Sequence, residues 1–282
     1  MSIIVRLAKP DDKDDVLSFT RNTWKNGDYI HLVWDAWLND NKGSLYVAEL
    51  NEKPVGILRA RYLPDKSVWL EGLRVHPKHR RKGVAETLNK EVIKRNIENG
   101  LRVFRGAIFD WNQPSMNLAR KLGFTILEPK WIIFKIEPKN IGTPTSYELF
   151  DPEDFVTLVE KTREYRTRNG LVFAEWAWFK LNRESSKRIN EYLSSVKFIR
   201  VKNMFYMLRL RKETEPKIEV NIFNASENDP LENLNIALFK SIFPGEIQRE
   251  VVVISPIMET EIRIQFTQGN EIEKLFVFER RF

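Results

Sequence analysis

The composition of this 282-residue chain excludes several functional classes. At roughly 150 residues per domain, its length predicts about two domains. It contains no cysteine, which excludes disulfides, thiolate metal sites and a cysteine nucleophile, and its three histidines lack the paired spacing of a zinc protease. We therefore expect no metal. The net charge of +7 favours an anionic partner, with nucleic acid, a phosphorylated cofactor and a merely solvated surface all left open.

Nothing in the sequence predicts a membrane segment. There is no run of about 18 apolar residues. The first residues also lack the basic stretch followed by an apolar stretch that marks a secretory signal. We expect a cytoplasmic protein with no membrane partner.

The first half of the chain alternates between strand-like and helix-like patterns. In chain order these predict a strand (3–7), two helices (11–24, 30–39), three strands (45–50, 55–62, 68–75), a helix (83–99), a strand (101–109), a helix (113–122) and two short strands through Ile136. The polar segment 138–146, with two prolines and a glycine, is the predicted linker between domains at 1–137 and 147–282. The predicted class is α/β (α+β).

The second half of the sequence has weak similarity to the first half. A shift of 142 positions aligns Pro10 with Pro152, Asp12 with Asp154, Thr20-Arg21 with Thr162-Arg163 and Trp34 with Trp176. A strand at 251–254, a helix ending at Gly269 and a strand at 275–278 would continue this similarity, although Ile262, Ile264 and Phe266 alternate as in a strand. A degenerate repeat and a chance similarity both remain open.

The segment from Val68 to Leu88 carries the clearest chemistry. A strand-like run ends at Pro77, a basic turn follows, and Gly83 opens a helix. The first amides of a helix have no partner within it and can receive a pyrophosphate. Between Arg74 and Arg105, ten Lys or Arg face three acidic residues, a surplus equal to the net charge of the chain. This concentration favours one phosphorylated ligand over a long nucleic acid.

Two motifs in this half resemble the GNAT family of N-acetyltransferases. Val75-His76-Pro77 followed by Arg80-Arg81-Lys82-Gly83-Val84-Ala85 resembles its acyl-CoA motif, and the run from Asn112 to Phe124 resembles its later helix motif. The resemblance covers residues 3 to about 137. It implies a mixed central sheet flanked by helices, followed here by a smaller α/β domain, with acetyl-CoA as cofactor and an amine as acceptor.

A narrower resemblance concerns the acceptor. Glu71-Gly72-Leu73-Arg74-Val75, Gly27-Asp28-Tyr29-Ile30 and Trp34-Asp35-Ala36-Trp37 are similar to the histidine N-acetyltransferase branch, whose members carry a poorly related C-terminal domain. This makes a free amino acid or small amine the leading acceptor class. Asp28, Tyr29 and Trp34 are the expected acceptor contacts, although most tryptophans here should be core.

The resemblance also implies cofactor contacts along the same segment. The expected set is Leu73, Arg74, Val75, Arg80, Arg81, Lys82, Gly83, Val84, Ala85, Glu86, Asn112 and Ser115. The amide of Leu73 would stabilise the oxyanion. For Asn112, capping of its helix is an alternative to cofactor contact.

Glu71 is the candidate general base. On a regular strand it would share a face with Trp69, Leu73 and Val75, where desolvation would raise its pKa. An ion pair with a nearby Arg or Lys is the alternative. The family's tyrosine acid would fall at Ala119, so no acid is assigned.

The leading hypothesis is an acetyl-CoA-dependent N-acetyltransferase that acts by direct attack in a ternary complex. The alternatives are a non-catalytic acyl-CoA-binding or sensing protein and, ranked last, a nucleic-acid-binding protein. The segment 224–230 lacks the glycine turn, so we expect the second domain to bind no CoA and to act as a pseudo-dimer partner or a wall of the acceptor site. The acceptor and the oligomeric state stay open.

Overall fold

The computed structural model describes residues 2–21, 23, 27–136, 146–211, 217–223, 236–243, 250–256 and 273–282. The chain divides into two compact units. Unit 1 comprises Met1–Gly106, Gln113–Thr125 and Phe278–Phe282, and unit 2 comprises Ala107–Asn112 and Ile126–Val277. The predicted linker 138–146 lies outside the described residues except for its last residue, as do the segment 224–230 and the predicted helix ending at Gly269. No helix in the described ranges is long and apolar enough to cross a membrane.

Unit 1 is built on a mixed sheet. Its elements are β1 Ile4–Leu7, α1 Lys13–Thr20, α2 Ile30–Asn39, β2 Gly43–Leu50, β3 Lys53–Tyr62, β4 Val68–Val75, α3 Val84–Glu98, the start of β5 Val103–Phe109 and α4 Gln113–Lys121. Strands β1 to β4 pair antiparallel in chain order, and β5 joins β4 in parallel. The predicted first helix is shorter than expected, since α1 ends at Thr20.

Helices cover both faces of this sheet. Successive side chains of a strand point to opposite faces, and apolar side chains occur on both faces of these strands. Leu45, Val47 and Ile57 pack with α1 and α2 in one buried cluster. Gly56 faces the opposite side, where its backbone lies against Val84 of α3. The sheet is therefore buried on both sides, as the resemblance predicted.

Unit 2 has a run of paired strands of its own. Its elements are β6 Thr125–Ile136, β7 Glu148–Phe150, α5 Pro152–Val159, α6 Arg163–Thr167, β8 Leu171–Ala174, β9 Ala177–Lys180, α7 Arg183–Tyr192, β10 Val196–Val201, β11 Met204–Arg211, β12 Lys217–Phe223, α8 Ile236–Ile242, β13 Glu250–Pro256 and most of β14 Glu273–Arg281. The strand order is β6-β13-β12-β11-β10-β7, and β8 and β9 form a separate hairpin.

The strands of unit 2 repeat the directions of the strands of unit 1. Strands β7, β10, β11 and β12 are antiparallel neighbours, and β13 then joins β12 in parallel. This is the topology that a degenerate repeat predicts. The gap-free alignment fails locally, however, because Trp34 lies in α2 whereas Trp176 lies in the turn between β8 and β9.

The last residues of the sequence belong to unit 1. The backbone N–H of Phe282 donates to the Arg102 carbonyl at 3.0 Å. Arg105, which is 2% exposed, forms ion pairs of 2.7 Å with both Asp65 and Glu279. This division of the chain differs from the predicted boundaries, which assigned residues 147–282 to the second domain, because the final strand returns to complete the first unit.

Candidate active site

Strand β4 contains a bulge at Gly72-Leu73. Arg59 lies opposite Glu71, and Ile57 lies opposite Arg74, so two residues of β4 separate positions that only one residue of β3 separates. Gly72 has φ +71°, a left-handed conformation that glycine adopts without the steric penalty of a side chain. An extra residue of this kind is left out of the regular ladder of hydrogen bonds.

The bulge changes which side chains share a face with Glu71. Because the alternation shifts by one residue at Gly72, Arg74 rather than Leu73 or Val75 follows Glu71 on its face of the sheet. The prediction of an apolar face around Glu71 is therefore wrong.

Glu71 is held by arginines of the neighbouring strand. Its Oε1 accepts a hydrogen bond of 2.6 Å from Nη1 of Arg59 and lies 3.7 Å from Nε of Arg61. Arg59 is 4% exposed, also pairs with Asp40, and its guanidinium carbon lies 5.0 Å from the ring centre of Trp37. The ion pair that the sequence left as an alternative for Glu71 is present in the structure.

Burial of Arg59 has an electrostatic effect. Desolvation lowers the pKa of this guanidinium, while the charges of Glu71 and Asp40 oppose that change. Its Nε has no hydrogen-bond partner among the described residues. Arg59 therefore depends on its two carboxylate partners for compensation of its charge.

Trp37 is packed directly on the bulge. A Cβ added at Gly72 would lie 2.6 Å and 2.7 Å from two atoms of the Trp37 ring. The ring of Tyr29 meets Trp37 edge-on, with 6.0 Å between ring centres. The absence of a side chain at Gly72 thus allows α2 to approach β4 at the residues that carry the candidate chemistry.

Two of the predicted acceptor contacts lie beside this cluster. Asp28 is 6% exposed and binds Arg74 through both carboxylate oxygens, at 2.6 Å and 3.2 Å. Tyr29 is 42% exposed, with the Arg74 guanidinium carbon 5.3 Å from its ring centre. Desolvation of the hydroxyl raises the pKa of Tyr29, with Glu71 and Asp28 adding to that effect and Arg74 opposing it. Tyr29 therefore offers a neutral phenol near the Glu71 side chain.

The third predicted acceptor contact is a core residue. Trp34 is fully buried and packs with Val16, Leu17 and Ile30 beneath the sheet. Its complete burial places it on the inner face of α2. Trp37, and not Trp34, meets the bulge.

The turn between β4 and α3 has the predicted form. Gly83 precedes α3 with φ +81°, and a Cβ added to it would meet no atom within 4 Å. Arg80, Arg81 and Lys82 are exposed beside it, with Nε of Arg80 donating to the Val75 carbonyl at 3.2 Å. The N-terminus of the 15-residue α3, whose first amides lack partners within the helix, therefore lies next to cationic side chains.

Glu86, in the first turn of α3, has cationic partners of its own. Hydrogen bonds from Lys121 and then Lys90 lower the pKa of Glu86 to about 2. Lys121 lies on α4, the helix of the motif from Asn112 to Phe124. The ion pair of Lys121 with Glu86 therefore links the first turn of α3 to α4. Asn112 and Ser115 lie at the beginning of that helix.

The basic segment between Arg74 and Arg105 is not one continuous surface. Arg74 is paired with Asp28, and Arg105 is buried between acidic partners. The cations exposed at the turn itself are Arg80, Arg81 and Lys82. In the described part of the chain, no group of three or more His, Asp and Glu side chains could hold a metal ion.

Strand β4 has an open edge beyond its first residues. Its parallel pairing with β5 is confined to Val68 with Phe104 and Trp69 with Arg105, although β4 continues to Val75. The backbone N–H and C=O groups along this edge that form no hydrogen bond to a neighbouring strand need other partners. Water or a bound ligand can supply those hydrogen bonds.

Comparisons with known proteins agree with this geometry. The acetyltransferase (GNAT) family model matches residues 13–124. Thialysine N-epsilon-acetyltransferase of Sus scrofa is 30% identical over 158 residues, a match that covers 48% of this chain and 93% of the relative. This chain belongs to the acetyltransferase (GNAT) family. The predicted enzyme class, an N-acetyltransferase, is thereby confirmed.

Other relatives of this GNAT chain match over shorter stretches. The thialysine N-epsilon-acetyltransferase of Mus musculus is 32% identical over 26% of this chain and 44% of the relative. Histidine N-acetyltransferase of Oreochromis niloticus is 28% identical over 29% of this chain and 25% of the relative. The two named activities differ, so the family is shown whereas the predicted histidine branch is not distinguished.

Two solved structures are similar to this chain over nearly its whole length. A provisionally assigned acetyltransferase from Thermoplasma acidophilum has a TM-score of 0.59 at 21% identity and covers 99% of this chain and 100% of its own. A second one, from Pyrococcus horikoshii, has a TM-score of 0.55 at 12% identity, covering 99% and 89%. At these identities the likeness concerns the fold alone, and it confirms the predicted fold class.

Sequence reasoning missed three residues of this GNAT site: Arg59, Asp40 and Gly72. Gly72 carries a usable signal, because an isolated glycine within a strand pattern indicates a bulge or a close backbone approach. Arg59 and Asp40 have no comparable signal, since their pairing depends on the register between strands and on the end of α2.

Proposed function

We propose that this chain transfers the acetyl group of acetyl-CoA to the primary amine of a small molecule or amino acid, by direct attack in a ternary complex. The observation that carries the proposal is the open, left-handed Gly83 at the beginning of α3, flanked by exposed Arg81 and Lys82. Backbone amides and the helix dipole receive the pyrophosphate there, and the two cations offset its charge.

The open edge of β4 fits the remainder of acetyl-CoA. Leu73 lies in the bulge, where one amide leaves the regular ladder, and this amide is the proposed donor to the oxyanion of the tetrahedral intermediate. Its carbonyl accepts from Nη1 of Arg74 at 3.0 Å, which restrains the peptide next to the reacting carbon. A preorganised donor of this type supplies the stabilisation without reorganisation during the reaction.

Glu71 is the proposed base, acting directly or through one water molecule. Both Arg59 and Arg61 approach the same oxygen, Oε1, so Oε2 is the atom that takes the proton. An acceptor amine of the lysine type has a pKa of about 10 and must lose a proton before it attacks. In this arrangement Arg59 positions Glu71 rather than touching the acceptor.

The acceptor is proposed to meet Tyr29 and Trp37, with Asp28 acting through Arg74. Tyr29 is exposed, and its ring lies over the Arg74 guanidinium, which the ion pair with Asp28 holds in place. Histidine and thialysine, named by the relatives, are the first acceptors to test. Ala119 cannot act as the family's tyrosine acid, so in this proposal water protonates the thiolate product, whose pKa near 8.5 makes this step undemanding.

The cofactor site is tested by a matched pair of glycine variants. Gly83→Glu introduces a side chain and a negative charge at the pyrophosphate position. Gly100→Glu makes the same change after the other end of α3, where φ is +86° and a Cβ also meets no atom within 4 Å. Titration calorimetry with CoA should show binding to Gly100→Glu and none to Gly83→Glu. Equal affinity of the two variants would refute the assignment.

Catalysis is tested separately by thiol release with a panel of amines that includes histidine and thialysine. Acceptor-dependent release supports the proposal and identifies the acceptor class. Tight CoA binding without any acceptor-dependent release would instead favour a non-catalytic acyl-CoA-binding protein. Affinity for DNA or RNA that falls steeply with salt and that CoA displaces would favour the nucleic-acid alternative.

A further inference from the structure

Unit 2 contains a buried cation that the proposed transfer does not use. Arg168 follows α6, is 2% exposed, and donates from Nη2 to the Ile222 carbonyl at 2.6 Å. Its Nε and Nη1 have no hydrogen-bond acceptor among the described residues.

Aromatic rings surround this guanidinium. Its central carbon lies 4.5 Å from the ring centre of Phe223 and 5.7 Å from that of Trp131. Trp131 is fully buried, and its indole Nε1 also lacks an acceptor in the described part of the chain. Trp178 meets Trp131 edge-on at 5.7 Å. Unsatisfied donors of two side chains therefore occur together within an apolar environment.

Such a cation is costly to bury. Attraction to two rings and one hydrogen bond to a carbonyl offset only part of the desolvation of a guanidinium. Desolvation lowers the pKa of Arg168 to about 10, with the charge of Glu164 opposing that change. The side chain nevertheless remains charged at neutral pH, so the site has one positive charge and donors that no described residue satisfies, with the charge of Glu164 acting on it without a hydrogen bond to Nε or Nη1.

We infer that Arg168 binds the carboxylate of a small ligand within unit 2. A single guanidinium compensates one negative charge, which matches a carboxylate and leaves a phosphate dianion partly uncompensated. The planar guanidinium also fits two carboxylate oxygens, and the indole N–H of Trp131 is a further donor. In this proposal the apolar body of the ligand contacts the rings of Phe223 and Trp131, which lie 4.5 Å and 5.7 Å from the guanidinium carbon. The inference does not rest on the proposed acetyl transfer.

The test uses the full chain and defined probes. Acetate, phenylacetate, the neutral phenylacetamide and inorganic phosphate are titrated calorimetrically without CoA. We expect at least one of the two carboxylates to bind saturably, and we expect phenylacetamide not to bind. Arg168→Lys keeps the charge but loses the fork of donors, so it should weaken binding at least about tenfold, and Arg168→Met should abolish it. Arg166→Met, at an exposed position of α6, is the matched control and should bind as the unaltered chain does.

Several outcomes would overturn the inference. They are the absence of saturable carboxylate binding, unchanged affinity in Arg168→Lys or in a folded Arg168→Met, equal affinity for phenylacetamide, and tighter binding of inorganic phosphate. Arg168→Lys keeps the test informative if Arg168→Met does not fold. Repeating the titration on Gly83→Glu separates this site from the cofactor site, because carboxylate binding should persist there.

Discussion

Substitution of Gly72 by Ala is the sharpest test of the bulge. The residue has φ +71°, and a left-handed conformation costs about 1 kcal/mol for a residue with a Cβ. The new Cβ would also lie 2.6 Å from the Trp37 ring, and forcing an extra methyl group into a packed site costs about 1–3 kcal/mol. The free energy of unfolding should therefore fall by about 2–4 kcal/mol.

Gly100→Ala separates these two contributions. Gly100 has φ +86°, and its added Cβ would meet no atom within 4 Å, so this variant carries the backbone cost alone. Equilibrium urea unfolding of both full-length variants should place Gly72→Ala about 1–3 kcal/mol below Gly100→Ala. Equal unfolding midpoints for the two variants would refute the close approach of Trp37 to the bulge.

A double-mutant cycle locates the contact. The two clashing atoms belong to the six-membered ring of the indole, and Trp37→Phe removes that bulk. In the Trp37→Phe background, Gly72→Ala should cost about as much as Gly100→Ala, which gives a coupling energy of about 1–3 kcal/mol. Turnover with a fixed acceptor should fall in the single variant Gly72→Ala, because the displaced Trp37 ring no longer packs over Arg59. The CoA affinity of this variant should stay the same.

Three further outcomes are expected. Glu71→Gln should lower kcat/KM about 10²–10⁴-fold with CoA affinity unchanged. This loss of kcat/KM should shrink as rising pH deprotonates the acceptor amine, and a loss that does not depend on pH would contradict the role of Glu71 as the base. Burial raises the pKa of Glu279, but the hydrogen bond from Arg281 and the charge of Arg105 hold it below its usual value, so stability from this group is lost as pH falls through that lowered pKa. Glu279→Gln should cost about 3 kcal/mol at pH 7 and less at low pH, measured by urea unfolding; a cost that does not change with pH would contradict this pairing. Burial and neighbouring cations lower the pKa of His76, so on acidification the unfolded chain binds a proton at this histidine before the folded chain does, and the free energy of unfolding falls below about pH 6.5. His76→Asn should flatten this dependence of stability on pH, and an unchanged pH profile in the variant would contradict the prediction.

Much of the local structure was predictable from short-range patterns. The predicted helix over 30–39 and strand over 68–75 have the observed bounds, and the predicted helix over 83–99 differs from α3 by one residue at each end. The turn at Gly83 was also predictable, because its glycine, its basic residues and its helix lie within one short segment. These features depend on neighbours in sequence.

The surroundings of Glu71 were not predictable in this way. Strict alternation along β4 gave the wrong face, since the bulge at Gly72 shifts the register with β3. The partnership with Arg59 and Asp40 arises only when β3 and the end of α2 are placed beside β4. Local pattern likewise could not assign Phe278–Phe282 to unit 1, because the contacts that hold that strand are with residues far away in sequence.

The return of the final strand to unit 1 has a consequence for synthesis on the ribosome. Arg105 and Glu279 are 174 residues apart, so at roughly 5–20 residues per second their ion pair cannot form until about 9–35 s after Arg105 is made. During that interval the nascent first unit lacks a carboxylate partner of a buried arginine. Its folding is therefore completed only after the intervening unit has been translated, and a ribosome-bound chain arrested before Phe278 should be more sensitive to protease in unit 1 than the released protein.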